Sequence, residues 1–130
     1  MKHRLLAAGL SLALPLAALA NPVQDSYRAA AKQESAAFTD FSAARGEAFY
    51  RAKAGDLSCA TCHGESPKAH GKHATTGKDI LPLAPVANAE RFTDAAKVEK
   101  WFKRNCSDVL KRNCTANEKG DFIAYLLSVK

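Results

Sequence analysis

Apolar residues recur at helical spacing in four stretches of the chain, and nowhere do they alternate over the length of a strand. Gln24 to Phe41 is Ala-rich, with Tyr27, Phe38 and Phe41 as its large apolar groups, and reads as a first helix. Phe41 to Ala54 carries Gly46, Phe49 and Tyr50 and reads as a second, stopped by the turn dipeptide Gly55-Asp56. Val98, Trp101, Phe102, Asn105 and Val109 share one face of a third helix, which Thr93 is placed to cap. Thr115-Ala116-Asn117-Glu118 fits the capping-box pattern, opening a last helix whose Phe122, Ile123, Tyr125, Leu126 and Leu127 are too apolar to lie free in water. Between the second and third helices, Cys59 to Asn88 has no period and is punctuated by Gly64, Gly71, Gly77, Pro67, Pro82 and Pro85. A loop of that length is tolerated when it is functional or wrapped around something. The expected fold class is all-α, a small helical bundle with long loops.

The 130 residues are 47% hydrophobic with 25% charged, which places the chain among globular proteins and suggests one domain. The long apolar run lies at the N-terminus: Lys2, His3 and Arg4, then Leu5 to Leu19, then a small-x-small ending before Asn21. Residues 1–20 therefore read as a cleaved signal peptide and 21–130 as the mature domain, exported to the periplasm and not membrane-spanning. Removing Lys2 and Arg4 leaves 17 basic against 13 acidic side chains. That excess is enough to steer an acidic protein partner. The cations are scattered rather than interleaved with aromatics, so no nucleic-acid role is expected.

Export leaves all four cysteines in an oxidising compartment. Cys59-Ala60-Thr61-Cys62-His63 is the C-x-x-C-H pattern of c-type haem attachment, in which two thiols add to the vinyl groups and the adjacent histidine reaches the iron. A thioredoxin-like redox pair would need a βαβ context that is absent here. A zinc site completed by Cys106, Cys114, His70 or His73 would leave the small helical core without an interior. One covalent haem c also answers a packing need, since a chain this short buries only about 60 to 70% of its unfolded surface. His63 is the expected proximal ligand, with its second ring nitrogen donating to a carbonyl in the Ile80 to Pro85 loop.

The sixth position is open. The sole methionine is Met1, which leaves with the signal peptide, so a His/Met cytochrome is excluded. His70 and His73 follow His63 closely within a polar stretch and read more readily as surface residues, and any single lysine is a weak candidate. Asn105 falls on the apolar face of the third helix, where a buried amide needs a partner at a cost of roughly 1 to 3 kcal/mol. That partner is either iron or backbone at a helix end. Cys106 and Cys114 are expected to pair, closing a short loop worth roughly 2.5 kcal/mol by chain entropy. The pair is a staple for a small domain, or in addition a rigid mount for a weak ligand at Asn105.

The run from Arg45-Gly46-Glu47-Ala48-Phe49-Tyr50 through Cys59 to His63, closing with Phe122 to Leu127, resembles a class I cytochrome c, with Gly46 and Tyr125 as the pair where first and last helices cross. More narrowly, Asn88-Ala89-Glu90-Arg91-Phe92-Thr93, then Val98 to Cys106 with its Asn105-Cys106 step, Asp108-Val109-Leu110, Cys114-Thr115 and the Pro82 to Pro85 loop resemble the sphaeroides haem protein family of oxygen-binding cytochromes c. The resemblance runs from about Tyr27 onward. It implies that Asn105 is the sixth ligand of oxidised iron, that Cys106 and Cys114 form the family's disulfide, and that reduction releases Asn105 to admit dioxygen, nitric oxide or cyanide. It also implies a dihaem cytochrome c as electron donor, with a membrane cytochrome b upstream. Pro82, Trp101 and Phe102 are candidates for the haem pocket, although aromatics at helical spacing are also ordinary core. The competing readings are an electron shuttle with a permanent His or Lys ligand and a haem enzyme that turns over its bound ligand. No side chain is assignable to a distal catalytic role, so a binding protein is preferred to an enzyme.

Overall fold

The computed structural model describes residues 20–130. The expected signal peptide, residues 1–20, lies outside the described residues save for Ala20. Six helices and one short ladder follow in order: α1 (Pro22–Ser26), α2 (Arg28–Glu34), α3 (Ala43–Arg51), α4 (Cys59–His63), β1 (Gly71–Lys72), β2 (Asp79–Ile80), α5 (Ala95–Leu110) and α6 (Ala116–Ser128). The ladder is antiparallel, with Gly71 opposite Ile80 and Lys72 opposite Asp79. It forms inside the expected loop of Cys59 to Asn88, whose first residues are helical instead, as α4.

The expected first helix is broken and ends early. Asn21 caps α1 through a side-chain bond to the Gln24 amide, Pro22 occupies the first turn, and Ser35 is already extended. Tertiary contacts outweigh the helix propensity of the alanines between Ser35 and Ser42. The Glu34 carboxylate reaches across to the Ala116 amide at 2.8 and 3.1 Å, at the positive end of α6. Asp40 takes the Arg28 guanidinium at 2.7 Å, and Phe41 turns inward to lie where a side chain on Gly120 would have to go. The cap of α5 is also displaced by one residue: Asp94 accepts from the Lys97 amide, while Thr93 donates its hydroxyl back to Glu90. α6 begins with the full reciprocal capping box between Thr115 and Glu118.

The core forms where α3 lies on α6. A Cβ on Gly46 would strike the backbone carbonyl of Asp121 and the Cβ of Tyr125, so the two helix backbones touch at this point. Asp121 is itself buried, and three donors satisfy it: Arg45 Nε at 2.7 Å, Arg45 Nη2 at 2.9 Å and the Ser42 amide at 2.7 Å. A buried carboxylate so fully bonded pins the N-terminus of α3 to the middle of α6. Around the contact, Tyr50, Ile123 and Leu126 are fully buried, and Tyr50, Phe102, Phe122 and Tyr125 form a cluster of rings with centroids 5.5 to 6.2 Å apart.

Replacing Gly46 with Ala is expected to cost about 3 kcal/mol or more, because the new methyl meets backbone rather than a movable side chain. Gly120→Ala should cost less, since the Phe41 ring can swing away. Urea denaturation of both variants checks this, and equal midpoints would refute the backbone contact.

Candidate haem-binding site

α4 is a single helical turn, too short to hold its shape alone. Three contacts hold it. At its start, Ser58 is buried and exchanges bonds with Thr61: the Thr61 amide donates to Ser58 Oγ at 3.2 Å, and the Ser58 amide to Thr61 Oγ1 at 2.9 Å. At its end, Gly64 adopts φ 82°, and its carbonyl accepts the Tyr50 hydroxyl at 2.6 Å. On its flank lies β1, where a Cβ on Gly71 would strike the Cys62 carbonyl and approach the His63 Cα. Tyr50 thus links the α3–α6 core directly to the turn that carries Cys59, Cys62 and His63.

Neither Cys59 nor Cys62 is in a disulfide. Burial pushes the Cys59 thiol up to about 11, the reverse of the activated thiol that a redox C-x-x-C needs. Burial, with the Arg91 charge adding to it, pushes His63 down to about 4 and keeps its ring neutral, as a metal-ligating imidazole must be. His63 Nδ1 is buried without a hydrogen-bond partner. His63 Nδ1 thus makes no bond to the expected acceptor in the Ile80 to Pro85 loop, several of whose carbonyls take other donors. Arg91 bonds Leu81 O and Pro82 O, Asn88 also bonds Pro82 O, and Ala84 O takes the Ala87 and Asn88 amides. The same loop is tied toward α4 by the Leu83 and Ala84 amides, both 2.9 Å from Pro67 O.

α5 presents two parallel stripes. Phe102 and Cys106 are buried, with Val98 and Leu110 packed beside them; Phe102 meets Phe122 and Tyr27 in the core. One position earlier along the helix, about 100° round its axis, Trp101 is 44% exposed and Asn105 is exposed. The expectation of a buried amide is therefore corrected: Val98, Phe102 and Cys106 supply the inward stripe, and Asn105 belongs with Trp101 on its flank. Cys106 and Cys114 form a disulfide with a Cα–Cα distance of 5.7 Å. It fastens α5 one residue after Asn105 to the residue preceding the Thr115 cap of α6.

His70 and His73 lie on the β1–β2 hairpin. His70 Nδ1 is 2.8 Å from Asp79 Oδ2, in an exposed pair. His73 Nδ1 accepts the Thr75 and Thr76 amides at 3.3 and 3.2 Å, which puts the ring proton of the neutral form on Nε2. Among the described residues no three His, Cys, Asp or Glu side chains converge on a metal position. With Cys106 and Cys114 joined, the zinc reading loses two of the side chains that were to complete it.

These residues fit a covalent haem on three counts. The two thiols stand unpaired at the attachment spacing, the adjacent histidine is neutral with an orphaned buried nitrogen, and three large apolar side chains, Leu81 at 58%, Val86 at 60% and Trp101 at 44%, are exposed. Sequence reasoning missed Tyr50, Gly71 and Arg91 as parts of the site, because their contacts are made across the chain. Only Ser58, three residues before Thr61, left a local capping signal.

Comparison with known proteins gives the family. A model described as a domain of unknown function (DUF1924) matches residues 36–126. The chain is 46% identical over 98 residues to the cytochrome c-type protein SHP of Cereibacter sphaeroides, covering 72% of this chain and 75% of that protein. The chain belongs to the sphaeroides haem protein family. Membership of this cytochrome c family implies covalently bound haem c. A solved structure of oxidised SHP, described as an oxygen-binding cytochrome c, is 42% identical and superimposes with a TM-score of 0.70 over 80% of this chain and 91% of that one. Oxidised cytochrome c'' from Methylophilus methylotrophus superimposes with a TM-score of 0.75 at 38% identity, over 83% of this chain and 92% of that one. The helical class I cytochrome fold expected from the sequence is thus the fold of the family.

Tyr50→Phe keeps the ring packing and removes the donor to Gly64 O. It is expected to lower stability by about 1 kcal/mol, read as a reduced denaturation midpoint at constant slope; an unaltered midpoint would show that the bond does not hold α4.

Proposed function

We propose that the mature chain is a periplasmic monohaem c-type cytochrome in which Asn105 ligates the oxidised iron and leaves the reduced iron, so that dioxygen, nitric oxide or another small ligand can enter. Cys59 and Cys62 would hold the porphyrin as thioethers, and His63 would supply a ring nitrogen to the iron. The bound haem supplies one-electron redox chemistry and a coordination position for diatomic ligands. Electrons come from a dihaem cytochrome c, with a membrane cytochrome b upstream.

The observation that carries this reading is the placement of Asn105: an exposed carboxamide in line with exposed Trp101, fastened one residue later by the Cys106–Cys114 bridge. A carboxamide oxygen is a hard, neutral and weak donor, suited to ferric iron and poorly suited to the softer ferrous ion. The disulfide limits how far the helix can drift, so release requires only a side-chain or end-of-helix movement. The relatives support this behaviour, since SHP is described as oxygen-binding and a solution structure of cytochrome c'' is described as bearing on haem-ligand detachment.

A permanent histidine ligand is disfavoured on geometry. His73 carries its proton on the nitrogen that would have to face iron, with the other occupied by two amides. His70 adjoins Gly71, which lies against His63 Cα, and so sits on the proximal ligand's own side.

Asn105→Ala should retain haem and bind cyanide in the ferric state at least about tenfold faster, because a ligand that occupies the iron nine-tenths of the time masks the open form by that factor. Stopped-flow cyanide binding checks this, and unchanged kinetics would move the sixth ligand elsewhere. Replacing Cys106 and Cys114 together with Ser is expected to cost about 2 to 3 kcal/mol of stability and to raise the open ferric fraction. A stability loss with an unaltered ferric spectrum would reduce the bridge to a staple.

A further inference from the structure

We infer that Glu99 is a positioning residue for Asn105: bonded by the Tyr27 hydroxyl and the Lys119 ammonium, its carboxylate fixes the roll of α5 about its own axis and thereby the direction in which Asn105 projects. The inference rests on the Asn105 reading above and concerns how firmly that gate is held shut.

α5 has few directional ties to the rest of the fold. Its buried Phe102 packs against the rings of Tyr27 and Phe122, and apolar contacts resist separation more than rotation because they have no preferred direction. The cations Lys97, Lys100, Lys103 and Arg104 are exposed, and Arg104 pairs at 3.9 Å with Asp108 of the same helix. Among the described residues, Glu99 is the only side chain of α5 that hydrogen-bonds another element.

Those bonds close a clasp. Tyr27 Oη donates to Glu99 Oε2 at 2.9 Å, and Lys119 Nζ donates to Oε1 at 2.8 Å and to Oε2 at 2.9 Å. Lys119 Nζ also stands 5.3 Å from the centre of the Tyr27 ring, within cation–π reach, and that ring meets Phe102 edge-on at 6.0 Å. Three parts of the chain thus converge on one carboxylate: the junction of α1 with α2, α5 and α6. The Lys119 side chain is only 14% exposed, so its charge is committed to this carboxylate and ring rather than to water.

The protonation states suit the clasp. Burial opposes the Glu99 charge, but the Lys119 and Tyr27 bonds more than offset it and hold the carboxyl below its usual value. Burial, reinforced by the Glu99 bond, pushes the Tyr27 phenol up. At neutral pH the carboxylate is ionised and the phenol keeps the proton it donates.

The clasp and the disulfide hold α5 at two points. Cys106–Cys114 fixes one point beside Asn105, but a helix fastened at a single point can still swing and roll about it. Glu99 lies six residues before Asn105, about 9 Å along the axis and about 120° round it. A carboxamide oxygen stands about 6 Å from the axis, so a roll of about 10° moves it about 1 Å. That is about twice the displacement of about 0.5 Å within which a functional group must be held. Gln24 provides the contrast: its Nε2 bonds Gly120 O at 2.9 Å, tying the same N-terminal segment to α6 with no bond to α5.

The test compares Tyr27→Phe, Glu99→Gln and Gln24→Ala in the intact holoprotein by stopped-flow cyanide binding, ferric visible spectrum and denaturation midpoint. Tyr27→Phe keeps the ring on Phe102 and loses the hydroxyl, while Glu99→Gln keeps the shape and loses the charge that pairs with Lys119. Both are expected to bind cyanide about threefold faster, the change produced when the closed-to-open ratio of the ferric protein falls from about nine to about two, with a matching rise in the open ferric spectrum. Gln24→Ala should lose stability at the parental cyanide rate. Should Glu99→Gln not accumulate, Tyr27→Phe carries the test, since it retains every apolar contact of the ring. Equal acceleration in all three variants would reduce the clasp to general stability and overturn the inference. Parental rates in Tyr27→Phe and Glu99→Gln, with faster binding in Asn105→Ala, would overturn it while leaving the gate intact. A parental rate in Asn105→Ala would instead refute the gate and the inference with it, so the two failures are distinguishable.

Discussion

At Gly46 the backbone of α3 touches that of α6 at Asp121, and the site depends on this contact. With the two helix backbones touching, the Arg45–Asp121 bond closes over one end of the contact and the ring cluster of Tyr50, Phe122 and Tyr125 fills the other. Tyr50 then lies where its hydroxyl reaches Gly64 O and fixes the end of a helical turn that could not persist by itself. A side chain at position 46 would separate the helices and withdraw Tyr50 from the attachment turn. Stability and haem presentation are in this sense one property of the fold.

The two sides of the site are built differently. On the His63 side, the Ser58 cap, Tyr50, Gly71, the Pro67 carbonyl and Arg91 fix the histidine-bearing turn and its loop from several directions. On the α5 side, Trp101 and Asn105 form an exposed stripe with one covalent anchor next to it. That asymmetry is what the redox-gated sixth position proposed above would require.

Local signals in the sequence were sufficient for the attachment motif, the α6 capping box and the α-helical class, because each depends on residues within a few positions of one another; the second helix, expected over Phe41 to Ala54, is shorter at both ends, Ala43–Arg51, with Ala52 already extended. Signals that depend on distant partners misled or were silent. The alanines after Gln24 favour helix, yet Glu34, Asp40 and Phe41 are committed to α6, Arg28 and Gly120, and the helix stops at Glu34. Asn105 was placed on the buried face because Val98 and Phe102 are i−7 and i−3 to it, but the inward stripe drifts to Cys106 and leaves Asn105 on the flank. Arg91 entered the sequence reading only as part of the Asn88 to Thr93 stretch that carries the family resemblance, with no contact assigned to it. Its meaning comes from Leu81 and Pro82, which no periodicity links to it.

The most direct test is carbon monoxide added to the fully reduced protein, followed by visible spectroscopy. An Asn105 ligand that leaves on reduction predicts complete conversion to a carbonyl spectrum without prior denaturation. A ferrous spectrum unmoved by saturating carbon monoxide would mean that a strong ligand stays on the iron in both oxidation states, contradicting the gate and leaving an electron carrier.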